Sequence, residues 1–114
     1  MSMLVNPRRL DDVFILDLSG RITMGEGALV LRDRIGKLLA AGHQKFLLNL
    51  ADVDYIDSSG LGELVSSFTT VRNQGGQLKL LNLTRRVQDL LQITKLLTVF
   101  DVYDDEGEAL SSYN

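Results

Sequence analysis

The sequence predicts an α/β fold: one domain over residues 1–114, with helices packed on a mixed, mostly parallel sheet in the order β-β-α-β-α-β-α-β-α. Three observations predict it. Short apolar runs alternate with segments whose apolar residues recur at helical spacing. Glycines and cap-type residues fall between them. No internal repeat or low-complexity linker gives a second domain a place to begin. A chain of 114 residues that is 45% hydrophobic can bury a modest core and is too apolar for intrinsic disorder.

The opening MLVNPRRL suits a short strand at the sheet edge, because Pro7 lacks the N–H that a central strand would need. VFILDLSG alternates, with Phe14, Leu16 and Leu18 on one side and Ile15 and Asp17 on the other, until Ser19 and Gly20 stop it. Thr23 and Glu26 have the spacing of a capping box. Ala28, Leu31, Ile35 and Leu38 then form a helical stripe that Gly42 closes.

KFLLNL is a continuous apolar run, expected as a strand buried on both faces. Asp52, Asp54 and Asp57 then fit a loop at its end. Leu61, Leu64, Val65, Phe68 and Val71 repeat at helical spacing up to Asn73, Gln74, Gly75 and Gly76. QLKLLNL reads as a strand and TRRVQDLLQITKL as a helix capped by Thr84. TVFDVYD reads as the last strand, and Asp104 or Asp105 as the cap of a short terminal helix. A hairpin followed by strand–helix alternation implies parallel pairing with right-handed crossovers.

Composition narrows the function. A formal charge of −3 disfavours nucleic acid and anionic membrane, and the pairs Arg8-Arg9 and Arg85-Arg86 read as solvated surface. No apolar stretch approaches a bilayer span, the start lacks a secretory pattern, and there is no cysteine. The expectation is a cytoplasmic protein without membrane insertion. The one histidine, His43, falls near the amino end of a strand and so opposite Ser58, leaving a serine nucleophile without its base. Neither a nucleotide-phosphate loop nor a hydrolase elbow is present, and the aspartates have no imidazole beside them. No enzyme activity, metal or cofactor is expected.

One stretch remains. DSSGLG, residues 57–62, follows a central strand and opens a helix, on the edge where open α/β sheets display functional groups. The helix dipole favours negative charge there. Serines also cap helices and glycines ease turns. On the residues alone, turn-and-cap weighs more than a functional site, and both readings stay open.

Taken over nearly its whole length, the chain resembles the STAS domain, specifically the bacterial anti-sigma-factor antagonists. The resemblance is carried by DLSGRI, LLNLADVDYIDSSGLGELV and NQGGQLKLLNLTRRVQDLLQITKL in order. It implies a non-catalytic partner switch. Such antagonists bind an anti-sigma factor that is also a serine kinase and thereby release a sigma factor. The kinase phosphorylates the first hydroxyl after the motif aspartate, here Ser58, and a serine phosphatase resets it. The implied contact surface is Asp57, Ser58, Ser59, Gly60, Leu61 and Gly62, with Arg21, Thr23 and Met24 from the loop before the first helix. Where many antagonists carry an acidic residue in that loop, this chain has Thr23 and Met24. The other roles of STAS-like domains are non-switching scaffolds and subunits of stress-signalling or lipid-transport complexes. A monomer is expected, since no apolar stripe is left over.

Overall fold

Pro7 carries no N–H, so its strand belongs where that donor is not needed, and the sheet places it there. The computed structural model describes residues 3–113. Strand β1 (Leu4–Leu10) forms one edge of a five-stranded sheet and pairs antiparallel with β2 (Val13–Ile22), Pro7 lying opposite Leu16. Strands β3 (Lys45–Ile56), β4 (Gln77–Leu81) and β5 (Val102–Tyr103) follow in spatial order, each parallel to the one before. The connections are helices α1 (Glu26–Ala40), α2 (Ser58–Asn73) and α3 (Arg85–Ile93), with α4 (Glu106–Ser111) at the end. Fold class and element order are those the sequence predicts.

Period-two alternation sorts the sheet's side chains into two cores. Leu16, Leu18, Phe46, Leu48, Leu50 and Leu80 meet the stripes of α1, α2 and α3 on one face. Val13, Ile15, Leu47 and Leu81 meet Ala109 of α4 on the other. Each fully buried Leu or Phe contributes about 1.5–3 kcal/mol, so the larger face carries most of the stability. The smaller face has a polar tether. The buried Lys79 donates to the carbonyl and hydroxyl of Ser112 at 3.0 and 2.8 Å, and its ammonium lies 4.6 Å from the Tyr113 ring.

Five local expectations need correction, the first being that β2 is not stopped at Ser19 and Gly20 but stays paired to Ile22. The Thr23–Glu26 capping box does not form: Gly25, at φ 87°, is the N-cap and supplies no side chain. The Thr23 carbonyl instead takes the Ala28 N–H at 3.0 Å, which holds the loop closed without the hydroxyl. Asp52 and Asp54 are not in a loop but exposed in β3, which runs on to Ile56 with Val53 and Ile56 buried. The last strand is only Val102–Tyr103. Finally, Leu39 rather than Leu38 completes the buried stripe of α1.

The length of β3 has a geometric result. Its pairing with β4 ends at Asn49–Leu81, whereas its pairing with β2 continues to Ile22–Ile56. β2 and β3 therefore project together past the rest of the sheet. Two register shifts, between Asp17 and Ser19 and between Gly20 and Arg21, lie along this projection and bend it.

Candidate functional site

Ile22 and Ile56 end the projecting strands side by side, and two loops leave from them. The α2 helix starts hard against β2. The Asp57 N–H donates to the Ile22 carbonyl at 3.3 Å, and a Cβ on Gly60 would stand 1.9 Å from that same oxygen. Gly60 is thus a packing requirement. Gly62, with nothing within 4 Å of a built Cβ, is not.

Asp57 holds both loops. Its Oδ1 accepts the Gly60 N–H at 2.8 Å, the cap of α2, and its Oδ2 accepts the Met24 N–H at 3.1 Å across from the other loop. Donation from the Gly60 amide first, and then from Met24, keeps the Asp57 carboxyl below the ordinary carboxylate value. The aspartate therefore takes the capping role that a serine was a candidate for. Ser58 and Ser59 are both exposed on the first turn.

A folded-state value lowered in this way stabilises the ionised clamp above the unfolded carboxyl's range, and that contribution is lost as pH falls through the folded value. Acidification below the ordinary carboxylate range is accordingly expected to speed amide exchange at Met24 and Gly60 before global unfolding. Asp57→Asn should show fast exchange at Met24 already at neutral pH, because the amide group keeps one acceptor for the cap but cannot offer a second. Equal protection of Met24 in the two proteins, measured by NMR hydrogen exchange, would refute the clamp.

The remaining residues of the expected surface divide. Met24 is 76% exposed. Arg21 and Gly62 are exposed, and Thr23 is half-buried. Gly60 and Leu61 are buried, Leu61 turning into the main core, so they support the surface without facing outward. A groove of about 330 Å³ runs between the starts of α1 and α2, lined by Met24, Ala28, Leu29, Ser59 and Gly62 among others.

Sequence reasoning passed over two features. Glu63, 5% exposed, accepts from Arg32 at 3.0 Å and from Ser67 at 3.0 Å, bracing α1 against α2 along the groove. Its four-residue spacing from Ser67 was the available signal. Tyr55, opposite Arg21 in the β2–β3 register, has two guanidiniums over its ring, Arg21 at 5.6 Å and Arg86 at 4.9 Å from its centre. Nothing in the sequence joins residues so far apart. His43 lies before β3, at the other end of that strand from Asp57, and packs tilted against Phe14 with ring centres 4.4 Å apart. A hollow of about 550 Å³ beside Asn82, Thr84 and Tyr103 does not include Ser58.

Comparison with known proteins adds the following. The family model described as the STAS domain matches residues 5–109. An anti-sigma-B factor antagonist of Bacillus subtilis (strain 168) is 35% identical over 102 residues, covering 90% of this chain and 92% of that protein. The crystal structure of a Thermotoga maritima protein, provisionally named an anti-sigma factor antagonist, superposes with a TM-score of 0.88 at 28% identity, covering 96% of this chain and 93% of the other. The phosphorylated form of the Bacillus cell fate determinant SpoIIAA superposes at 0.74 over 95% of this chain and 97% of its own; at 18% identity that likeness concerns the fold alone. No helix among the described residues is long and apolar enough to cross a membrane.

Proposed function

The chain belongs to the STAS domain family, and on that premise we propose that it is an anti-sigma factor antagonist whose hold on its partner is switched off by phosphorylation of Ser58. The partner is an anti-sigma factor with serine kinase activity, a separate phosphatase resets the switch, and the antagonist itself binds without catalysing. Cytoplasmic residence follows from that role.

One observation carries the reading. The Ser58 hydroxyl is exposed at the start of α2, and the cap is already supplied by Asp57, so the fold has no need of it there. A phosphate at this point adds about −1.5 to −2 charges. The amides and dipole of the first helical turn favour that charge within the domain, so the fold survives it. A protein seated on the same surface meets it at close range. The contact residues of this reading are Asp57, Ser58, Ser59 and Gly62 with Arg21, Thr23 and Met24, carried on the buried Gly60 and Leu61.

Incubation with ATP and the serine-kinase anti-sigma factors encoded in the same genome is expected to add a single phosphate. Peptide mass spectrometry should place it on Ser58, and Ser58→Ala should take up none. Transfer to Ser59 or Thr23 with Ser58 untouched would reject the assignment, and no transfer from any of these kinases would reject the switch.

A further inference from the structure

We propose that Tyr55 and Arg86 extend the contact surface at Arg21 into a docking element that grips a carboxylate-bearing segment of the protein seated on Ser58; the inference rests on the reading in the preceding subsection and adds the chemistry of the partner's face. Position is the first argument. Arg21 and Tyr55 pair in register one step before Ile22 and Ile56, so they lie on the same two-stranded projection that carries Met24 and Asp57 at its end. Arg86 reaches the Tyr55 ring from the start of α3. A protein covering Ser58 and Met24 needs only a short extension to meet the bracket.

Charge is the second argument. Arg8, Arg32 and Lys45 are each matched by a carboxylate at 3.0 Å or less. Among the described residues, no carboxylate lies within ion-pair distance of Arg21 or Arg86, and what sets them apart from Arg9, Arg34, Arg72 and Lys95, which also have no ion pair, is that the two share one ring. The fold thus brings two like charges to one ring and leaves both without a counter-charge.

Stacking explains how they are held. A guanidinium over an aromatic face is attracted to the ring while its planar fork of N–H donors stays free at the edge. Two such forks, set on a rigid tyrosine, match the planar, bidentate geometry of carboxylates. A nucleic acid would call for an extended basic stripe, and here the flanking Asp52 and Asp54 interrupt it. The occupant is therefore an acidic segment of the partner protein. The same partner face explains the sign of the switch, because an acidic surface drawn in by the arginines is repelled by phosphate on Ser58.

The test is stopped-flow association of the full chain with the purified anti-sigma factors of the same genome, at two salt concentrations. The proteins compared are wild type, Ser58→Asp and the double variant Arg21→Gln/Arg86→Gln. The double variant is expected to keep the wild-type Tm. Its association rate at low salt should fall several-fold, its salt dependence should flatten, and its dissociation rate should rise about tenfold as the bidentate contacts are lost. An unchanged association rate in the double variant, with binding still lost in Ser58→Asp, overturns the bracket and leaves the switch standing. Wild type binding none of the anti-sigma factors overturns both. A short single-stranded RNA used as a second probe, if bound by wild type and released by the double variant, reassigns the bracket to nucleic acid and overturns the acidic-protein occupant.

Discussion

Ser58→Asp is expected to raise the Kd for the anti-sigma factor by at least about tenfold, while Ser58→Ala stays within about threefold of wild type. The difference follows from where the side chain stands. Ser58 makes no cap, since the Asp57 carboxylate holds the Gly60 amide, so neither substitution removes a bond the helix depends on. What changes is the charge offered to a visitor. Opposed to a partner carboxylate at about 4 Å, one added negative charge costs up to about 4 kcal/mol at an effective dielectric of ~20. A third of that is already a factor of about ten. Aspartate is shorter than phosphoserine and carries one charge where the phosphate carries nearly two, so the modified protein should be affected more strongly than the mimic. Isothermal titration of the three proteins against the same partner measures this. Equal affinities for Ser58→Asp and wild type would remove the electrostatic account of the switch.

The second large effect is on the fold itself. Gly60→Ala is expected to destabilise the domain by about 3 kcal/mol or more, at the upper end of what overpacking costs. The new methyl would stand 1.9 Å from the Ile22 carbonyl oxygen and 2.7 Å from its carbon. Those are backbone atoms at the end of a paired strand and cannot turn aside as a flexible side chain would. Relief requires α2 to lift from β2, which pulls on the Asp57–Ile22 bond and on the Asp57 clamp together. Gly62→Ala is the internal control. Its methyl meets nothing within 4 Å, and replacing a helical glycine should stabilise by about 0.5–1 kcal/mol. Urea unfolding of both variants decides the matter. Similar midpoints for the two would mean that the contact between α2 and β2 is slacker than described.

Element order and sheet pairing were legible because each rests on a local rule: alternation in VFILDLSG, helical stripes in α1 and α2, and a proline that tolerates only an edge. The exposed position of Ser58 at the start of α2 was legible too, from the place of its motif after an apolar strand. Other details were hidden for stated physical reasons. The capping box at Thr23 and Glu26 failed because a glycine with positive φ turns the chain there, and a backbone carbonyl does the work of the hydroxyl. The aspartates at 52 and 54 look like loop residues in a list. Only the pairing of β3 with β2 beyond the end of β4 makes them part of a strand. Tyr55 with its two arginines, and Glu63 with Arg32, depend on packing between elements distant in sequence. The sequence also offered no way to divide the glycines of DSSGLG into one that packing demands and one that it leaves open.

The flanks of the sheet bear on how this molecule meets others. One outer ribbon carries Pro7 with Arg8 and Arg9 beside it, and the opposite margin is a stub of two residues, Val102 and Tyr103. A visiting chain seeking unsatisfied main-chain groups finds little to zip onto at either border. On the proposed reading, recognition falls to side chains at the far end of the projecting parallel pair β2 and β3. A guest can arrive and depart there without any strand being added or withdrawn, and crowding should not drive copies to stack border to border.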